Sequence, residues 1–157
     1  MRSFCLWLKN VKISVEGGWV IFLLFDLRPI GVVRSPYRRD GDAPRQGRLS
    51  AEVSNIEIFP EYEDGLKGIE SFSYLIILYW LDRAKRDKLL ARPCHSDEER
   101  GVFATRSPNR PNPIGLCVVK LLEKKGRFLK VIWLDALDGS PIIDIKPYVP
   151  DIDSVSC

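Results

Sequence analysis

Histidine is almost absent from this sequence, and its few cysteines follow no paired spacing. The single histidine, His95, cannot build a multi-histidine metal site, and no Gly-x-Ser-x-Gly elbow accompanies it to form a hydrolase triad. A mixed site of His95 with Cys94 and nearby acids stays open, although no metal is expected. The scattered cysteines favour free thiols over disulfides, and thus a reducing compartment. They are Cys5, Cys94, Cys117 and Cys157.

Long apolar runs are also missing. The two longest, Trp19–Phe25 and Tyr74–Leu81, fall well short of the roughly 20 residues that a membrane-spanning helix needs. Lys9, Lys12 and Glu16 interrupt the region before the first run, and no small-residue cleavage site follows it, so a signal peptide is not predicted. We therefore expect a cytoplasmic protein without a membrane partner.

Positive charge is modest in total but unevenly distributed. The net charge is +3, yet six arginines lie between residues 28 and 48 against only two aspartates, Asp40 and Asp42. A second basic stretch covers residues 83–92. Locally concentrated basic residues suit a phosphate-binding face, while a solvated arginine-rich loop is an equally good explanation.

Short strands dominate the pattern along the chain. Residues 74–81 (YLIILYWL) are apolar on both faces and rich in aromatic and β-branched side chains. They predict a central, fully buried strand, with a helix as the alternative. Residues 115–122 and 128–134, joined by a charged turn, predict a hairpin. Further strands are predicted at residues 6–15, 19–25, 29–34, 50–59 and 101–105.

Little helix accompanies these strands. One short helical turn is expected at residues 64–72, where Leu66 and Ile69 face the core, and residues 38–47 are expected to form a loop. About seven short strands with so little helix predict a mainly β protein, a small barrel or closed β-fold.

Three islands of sequence carry unusual chemistry: residues 29–37 continuing to 44–46, residues 101–116, and residues 137–148. In the second island, three prolines alternate with two arginines and two asparagines between Arg106 and Pro113. Proline fixes φ, so this loop is stiff before any ligand arrives, and arginine and asparagine offer planar hydrogen bonding to carboxylates, phosphates or base edges. A rigid structural connector is the alternative.

The third island combines a turn with a polar strand. Asp138-Gly139 favours a tight turn and Pro141 stiffens its exit, so the turn can present backbone amides and a carboxylate to a ligand, although a plain β-turn also fits. Asp144 and Lys146 lie two residues apart and share a face of a strand. They form either a polar cluster with Tyr148 or an exposed salt-bridged ladder.

Together the islands resemble the motifs of a known family. GVFATRSPNRPNPIG is similar to the signature of the TsaA-like (TrmO) family of S-adenosylmethionine-dependent tRNA (adenine-N6) methyltransferases. PIGVVRSPY and LDGSPIIDIKPY match the other two blocks of that family in order, and GLKGIESFSYLIILYW matches the stretch between them. The resemblance covers about residues 27–150.

The resemblance implies a fold and a domain plan. A single-sheeted β-barrel with one or two short helices is expected over residues 26–150, in a homodimer. Because the first block of the family usually lies closer to the N-terminus, residues 1–25 are interpreted as an extension, either a β-hairpin or a start assigned too early. Residues 151–157 are expected to be a polar tail that frays, with no further C-terminal domain of the kind some members carry.

The resemblance also implies a cofactor and a substrate. The cofactor is S-adenosylmethionine, and the methyl acceptor is N6 of threonylcarbamoyladenosine beside the anticodon of tRNA. The expected cofactor contacts are Pro44, Arg45, Gln46, Asp82, Arg83, Arg106, Leu116, Asp138, Gly139, Ser140 and Pro141. The match is weaker at Asp82-Arg83, where members often carry His or Gln. The expected RNA contacts are Arg34, Arg38, Arg39, Arg110 and Lys146.

The reaction itself needs little from the protein. The methyl group of the sulfonium is already activated, so alignment is the main requirement, and a proline-braced loop is suited to it. The nucleophilic nitrogen must lose a proton, and Asp138 or Asp144 is the candidate acceptor, with water or the substrate itself as alternatives. A methyltransferase for another modified nucleoside and a non-catalytic sensor of cofactor or RNA are the competing functions.

Overall fold

The computed structural model describes residues 26–93 and 96–155. Their strands are β1 (Gly31–Arg34), β2 (Val53–Ile58), β3 (Tyr74–Trp80), β4 (Leu90–Ala91), β5 (Arg100–Gly101), β6 (Ile114–Lys125), β7 (Phe128–Ile132) and β8 (Pro141–Pro147). Short 3₁₀ helices cover Gly47–Leu49, Pro60–Leu66, Ile69–Ser71 and Val102–Ala104, and one turn of α-helix, α1, covers Pro150–Asp153.

Six antiparallel strands close into a barrel in the order β1-β2-β7-β6-β3-β8. The first and last strands of this order pair with each other, at Gly31 with Ile142 and Val32 with Pro141, which removes both sheet edges. Strands β4 and β5 form a separate two-stranded sheet between β3 and β6 in the chain. The predicted mainly β, single-sheeted barrel is confirmed.

Alternate residues of each strand fill the barrel. On β3, Leu75, Ile77 and Tyr79 are buried, and on β6 and β7 the inward positions include Val119 and Leu129. The prediction of a central strand at residues 74–81 is confirmed, but full burial on both faces is wrong. The intervening residues of β3 are half-buried, because the outer face of a single-sheeted barrel has no second layer over it.

The predicted β1, β2 and β6–β7 hairpin are confirmed with adjusted bounds, and Leu66 and Ile69 do face the core from 3₁₀ turns. The predicted strand at residues 101–105 is wrong. Only Gly101 pairs, and the backbone then turns: the N–H of Val102 donates to the carbonyl of Leu89, and the N–H of Thr105 donates back to that of Val102. A 3₁₀ helix therefore replaces the strand.

The first residues of the expected polar tail form the exposed helical turn α1. Pro150 begins this helical turn, and the carboxylate of Asp153 accepts a hydrogen bond from the N–H of Val149. Residues 1–25, Cys94 and His95 lie outside the described residues, so the predicted extension and the mixed metal site stay predictions. Within the described ranges, no helix is long and apolar enough to cross a membrane.

Cys117 is a core residue. Its thiol is buried on β6 and donates a hydrogen bond to the carbonyl of Trp133 at 2.8 Å. Burial raises the pKa of the Cys117 thiol to about 12, so the thiol stays protonated throughout the neutral range and the reactive thiolate is scarce.

We expect Cys117 to resist iodoacetamide at pH 8 in the native protein and to react fully in denaturant. Peptide mass spectrometry checks this, and rapid native alkylation of Cys117 would contradict it.

Candidate active site

A cavity of about 640 Å³ opens at one end of the barrel. The C-terminal ends of β1 and β3 and the N-terminal ends of β6 and β8 meet there because neighbouring strands are antiparallel. Several loops complete the wall. The residues that line it are Asp40, Gly41, Ala43, Pro44, Arg45, Gln46, Tyr79, Leu81, Asp82, Arg83, Ala84, Arg106, Ser107, Pro108, Asn109, Arg110, Ile114, Gly115, Leu116, Asp135, Leu137 and Ser140.

The proline-rich loop on one side of the cavity is organised by Arg110. Its guanidinium donates hydrogen bonds to the carbonyls of Val102, Thr105 and Ser107 at 2.5–2.9 Å. Three charge-assisted bonds to one backbone segment close the loop around this side chain. Arg110, which was expected to contact RNA, thus holds the shape of the cavity wall.

Arg106 lies only four residues before Arg110, but its guanidinium group does not bond to the loop. It lines the cavity, and its guanidinium has neither a hydrogen bond nor an ion pair with any residue of the described ranges. Arg45 shares both properties on the opposite loop. The cavity thus has two cationic side chains whose hydrogen-bonding capacity the described structure does not use, alongside the predicted contacts Pro44, Gln46 and Leu116.

The Asp-Gly turn of the third island joins the cavity to β1. The N–H of Ser140 donates to the carbonyl of Leu137, and Gly139 adopts φ 84°, a conformation that glycine tolerates without strain. The carboxylate of Asp138 accepts a hydrogen bond from the N–H of Ser35. Ser140 is buried and lines the cavity, whereas Asp138, Gly139 and Pro141 are absent from its lining.

Arg83 fixes this turn to the loop after β1. Its guanidinium donates to the carbonyl of Arg38 at 2.8 Å and to that of Asp138 at 3.0 Å. Arg83 lines the cavity with its neighbour Asp82, and two of its guanidinium N–H groups already donate to the protein backbone. Its clearest role in the structure is to hold two walls of the cavity together.

The other predicted residues are absent from the lining of the cavity. Asp144 and Lys146 form an ion pair at 2.6 Å on β8, which matches the salt-bridged ladder among the two alternatives. Arg34 donates to the carboxylate of Glu57, and hydrogen bonds from Arg34 and then Arg127 hold the pKa of Glu57 below its usual range. The side chains of Arg38 and Arg39 are exposed beside the cavity loop.

The cavity residues missed in the sequence include a hydrogen-bonded pair, Tyr79 and Asp135. The hydroxyl of Tyr79 donates a hydrogen bond to the Oδ1 of Asp135 at 2.8 Å, and both side chains line the cavity. Burial, and then the charge of Asp135, raise the pKa of the Tyr79 hydroxyl, so it remains a donor. A signal existed, because a tyrosine at an inward position of a buried strand needs a partner for its hydroxyl.

The backbone on either side of the Tyr79–Asp135 pair restricts the positions of these two side chains. Trp133 has φ 72°, a left-handed conformation that is rare for a bulky residue, and the chain bends there between β7 and Asp135. The ring of Tyr79 packs directly on Gly115, where an added Cβ would lie 2.3 Å from the ring. The Tyr79–Asp135 pair is therefore fixed from both sides.

The protein is thus a small closed β-barrel with a cavity at one end, to which three separated motif blocks all contribute residues. The chain belongs to the TrmO family, since residues 32–154 match the sequence model of the tRNA-methyltransferase O N-terminal domain. It is 63% identical over 130 residues to an S-adenosyl-L-methionine-binding protein of Archaeoglobus fulgidus, covering 83% of this chain and 94% of that protein.

Two further relatives extend the comparison. The tRNA (adenine(37)-N6)-methyltransferase of Escherichia coli is 38% identical over 142 residues, which cover 83% of this chain. The crystal structure of TrmO from Pseudomonas aeruginosa superimposes with a TM-score of 0.71 at 34% identity over 85% of this chain. The chain spans 60% of each of these two proteins, and 36% of a longer Archaeoglobus fulgidus relative named a probable S-adenosyl-L-methionine-binding protein.

Proposed function

We propose that this protein binds S-adenosylmethionine in the barrel-end cavity and methylates N6 of an adenosine in tRNA. The observation that carries the proposal is that three motif blocks, far apart in sequence, contribute Arg45, Arg106 and Ser140 to one cavity. Relatives of this chain are named for S-adenosyl-L-methionine binding and for tRNA adenine methylation.

The residues of the cavity fit this cofactor. Its volume falls within the range of about 300–1,000 Å³ typical of small-molecule sites. The cofactor carries a carboxylate, for which Arg45 and Arg106 offer uncommitted guanidinium groups, and an adenine ring, for which the half-exposed side chain of Leu116 offers an apolar surface. Its cationic groups would meet the exposed aspartates Asp40 and Asp82, and its ribose hydroxyls would meet the turn at Ser140.

When bound, S-adenosylmethionine supplies an electrophilic methyl group that needs no further activation. The protein's task is then to orient the acceptor nitrogen and to keep the walls of the cavity fixed. The Arg110 clamp and the Arg83 bridge perform the second task, since each ties backbone segments together with hydrogen bonds from one guanidinium. A preformed cavity avoids the entropic cost of ordering its loops upon binding.

The specific acceptor we propose is N6 of threonylcarbamoyladenosine, beside the anticodon. The family resemblance supports this choice, and so does the chemistry, because a carbamoyl substituent makes the remaining N6 hydrogen easier to remove than in plain adenosine. The exposed arginines Arg38 and Arg39 lie next to the cavity loop and are suited to phosphate contacts. A homodimer in the cytoplasm is part of the same proposal.

The test is a labelled methyl-transfer assay. Purified protein is incubated with isotopically labelled S-adenosylmethionine and with tRNA that either contains or lacks threonylcarbamoyladenosine, and digested nucleosides are analysed by mass spectrometry. We expect label only in N6-methyl-threonylcarbamoyladenosine. Label in another nucleoside would show that this other nucleoside, and not threonylcarbamoyladenosine, is the methyl acceptor. Cofactor binding without any label in tRNA would favour a non-catalytic sensor of the cofactor.

A further inference from the structure

Asp135 differs from the other carboxylates of the cavity. Asp40 and Asp82 are exposed at its rim, whereas Asp135 is half-buried and its Oδ1 is held by the Tyr79 hydroxyl. Within residues 26–93 and 96–155, no lysine or arginine forms an ion pair with Asp135. Partial burial of a carboxylate without a cationic partner costs free energy. A bound ligand that interacts with this carboxylate would explain why it lies in the cavity.

The two oxygens of this carboxylate have separate surroundings. Oδ1 accepts the Tyr79 hydrogen bond, and the carboxylate also lies close enough to the Cys117 thiol to contribute to the raised pKa of that thiol. The thiol itself donates to the carbonyl of Trp133, so within the described residues Oδ2 is left without a side-chain hydrogen bond. Because the ring of Tyr79 rests against Gly115, the hydroxyl cannot move away without shifting the strand pair β3–β6. The lone pairs on Oδ2 are thus left available while the orientation of the carboxylate is fixed.

We propose that Asp135 accepts the proton that N6 of the target adenosine loses during methyl transfer, and that Tyr79 is its positioning residue. This assignment rests on the proposed function. The N6–CH₃ bond forms as the S–CH₃ bond breaks and its electron pair stays on sulfur. The N6–H bond supplies the electron pair retained by nitrogen, and its proton passes to Oδ2 of Asp135 and then to water.

Geometry favours Asp135 over the two carboxylates predicted from the sequence. The carboxylate of Asp138 accepts the N–H of Ser35 and is absent from the cavity lining. That of Asp144 is paired with Lys146 on β8, also away from the cavity. A general base must come within hydrogen-bond reach of the proton it removes, which only a carboxylate facing the bound substrate can do.

The deciding experiment combines kinetics with cofactor binding in four proteins: wild type, Asp135→Asn, Tyr79→Phe and the charge-matched control Asp151→Asn, whose side chain is exposed on α1. We expect Asp135→Asn to lower kcat by about a hundredfold or more, with KM for tRNA and Kd for S-adenosylmethionine within about twofold of wild type. Tyr79→Phe, which keeps the ring, should lower kcat by about tenfold with the same unchanged Kd. The control should match wild type.

Each other outcome has a definite meaning. If Asp135→Asn weakens S-adenosylmethionine binding more than about tenfold in calorimetry, Asp135 binds a cationic group of the cofactor and the assignment is wrong. If wild type methylates tRNA and both variants match it, the assignment alone fails. If wild type binds the cofactor but methylates no tRNA, the proposed function fails and takes this assignment with it. Should Asp135→Asn not fold, Tyr79→Phe decides, because a purely structural hydroxyl would change melting temperature but not kcat.

Discussion

Arg106→Ala is expected to weaken S-adenosylmethionine binding by between about tenfold and about a hundredfold while leaving the melting temperature of the protein unchanged. Arg106 lines the cavity, and its guanidinium makes no hydrogen bond or ion pair with the described residues, so folding gains little from it. A charge-assisted hydrogen bond to the carboxylate of the cofactor would contribute about 1.5–3 kcal/mol, and each 1.4 kcal/mol corresponds to about tenfold in Kd.

The matched comparison is Arg110→Ala in the same loop. This variant leaves the carbonyls of Val102, Thr105 and Ser107 without their donor. We therefore expect the reverse pattern, a clear fall in melting temperature together with weaker binding caused by a loosened cavity wall. Isothermal titration calorimetry and differential scanning calorimetry on both variants measure the two quantities separately.

The assigned role of Arg106 has a clear point of failure. If Arg106→Ala binds the cofactor as wild type does but loses affinity for tRNA, its guanidinium meets a phosphate or the threonyl carboxylate. If both variants lower the melting temperature equally, Arg106 is a structural residue as Arg110 is. Either result would assign the cofactor carboxylate to Arg45, which is the other uncommitted arginine of the cavity.

The barrel was predictable because its main signals are local. The alternation of apolar residues on β2, the continuous apolar run of β3, the charged turn before Phe128 and the proline that follows Phe59 can each be found in a short window. Closure is different. It depends on the pairing of Gly31 with Ile142, residues more than a hundred positions apart, and on the close approach of their backbones. No local pattern contains that information, and the family resemblance supplied it instead.

The candidate site was predictable by position but not by role. Arg106 and Arg110 come from the second motif block and Arg83 from the weaker match at Asp82-Arg83, and all three line the cavity. Two of them donate their hydrogen bonds to backbone carbonyls, which depends on neighbours that only the folded chain provides. The sequence therefore indicated where arginines gather, while the structure distinguishes the arginine available to a ligand from those that shape the loop.

For Asp135 even the position was not predictable, because no motif in the neighbouring sequence indicates a functional residue. It lies between the hairpin and the third block, and its importance comes from the hydroxyl of Tyr79, 56 residues earlier in the chain. The left-handed backbone at Trp133, which aims this segment, is also unexpected for a tryptophan. Tertiary contacts, rather than local preferences, decide this part of the site.

Gly47→Ala is expected to cause the largest loss of stability among the substitutions considered, about 3 kcal/mol or more. A Cβ at this position would lie 1.8 Å from the carbonyl oxygen of Trp133 and 2.7 Å from the Sγ of Cys117. The first of these atoms is backbone and already accepts the Cys117 thiol, so it cannot rotate away as a flexible side chain would. Since Gly47 directly follows the cavity residue Gln46, we expect cofactor binding to fall as well.

Gly65→Ala is the matched control, because an added Cβ at Gly65 meets no atom within 4 Å. Its free energy of unfolding should change by less than about 1 kcal/mol, and slightly in the stabilising direction, since alanine restricts the unfolded chain. Chemical denaturation of both variants measures the difference directly, and a melting temperature about 10 °C below wild type is expected for Gly47→Ala alone. Equal stability of the two variants would mean that the Trp133 backbone yields easily. The left-handed bend that aims Asp135 into the cavity would then be a soft feature of the barrel rather than a fixed one.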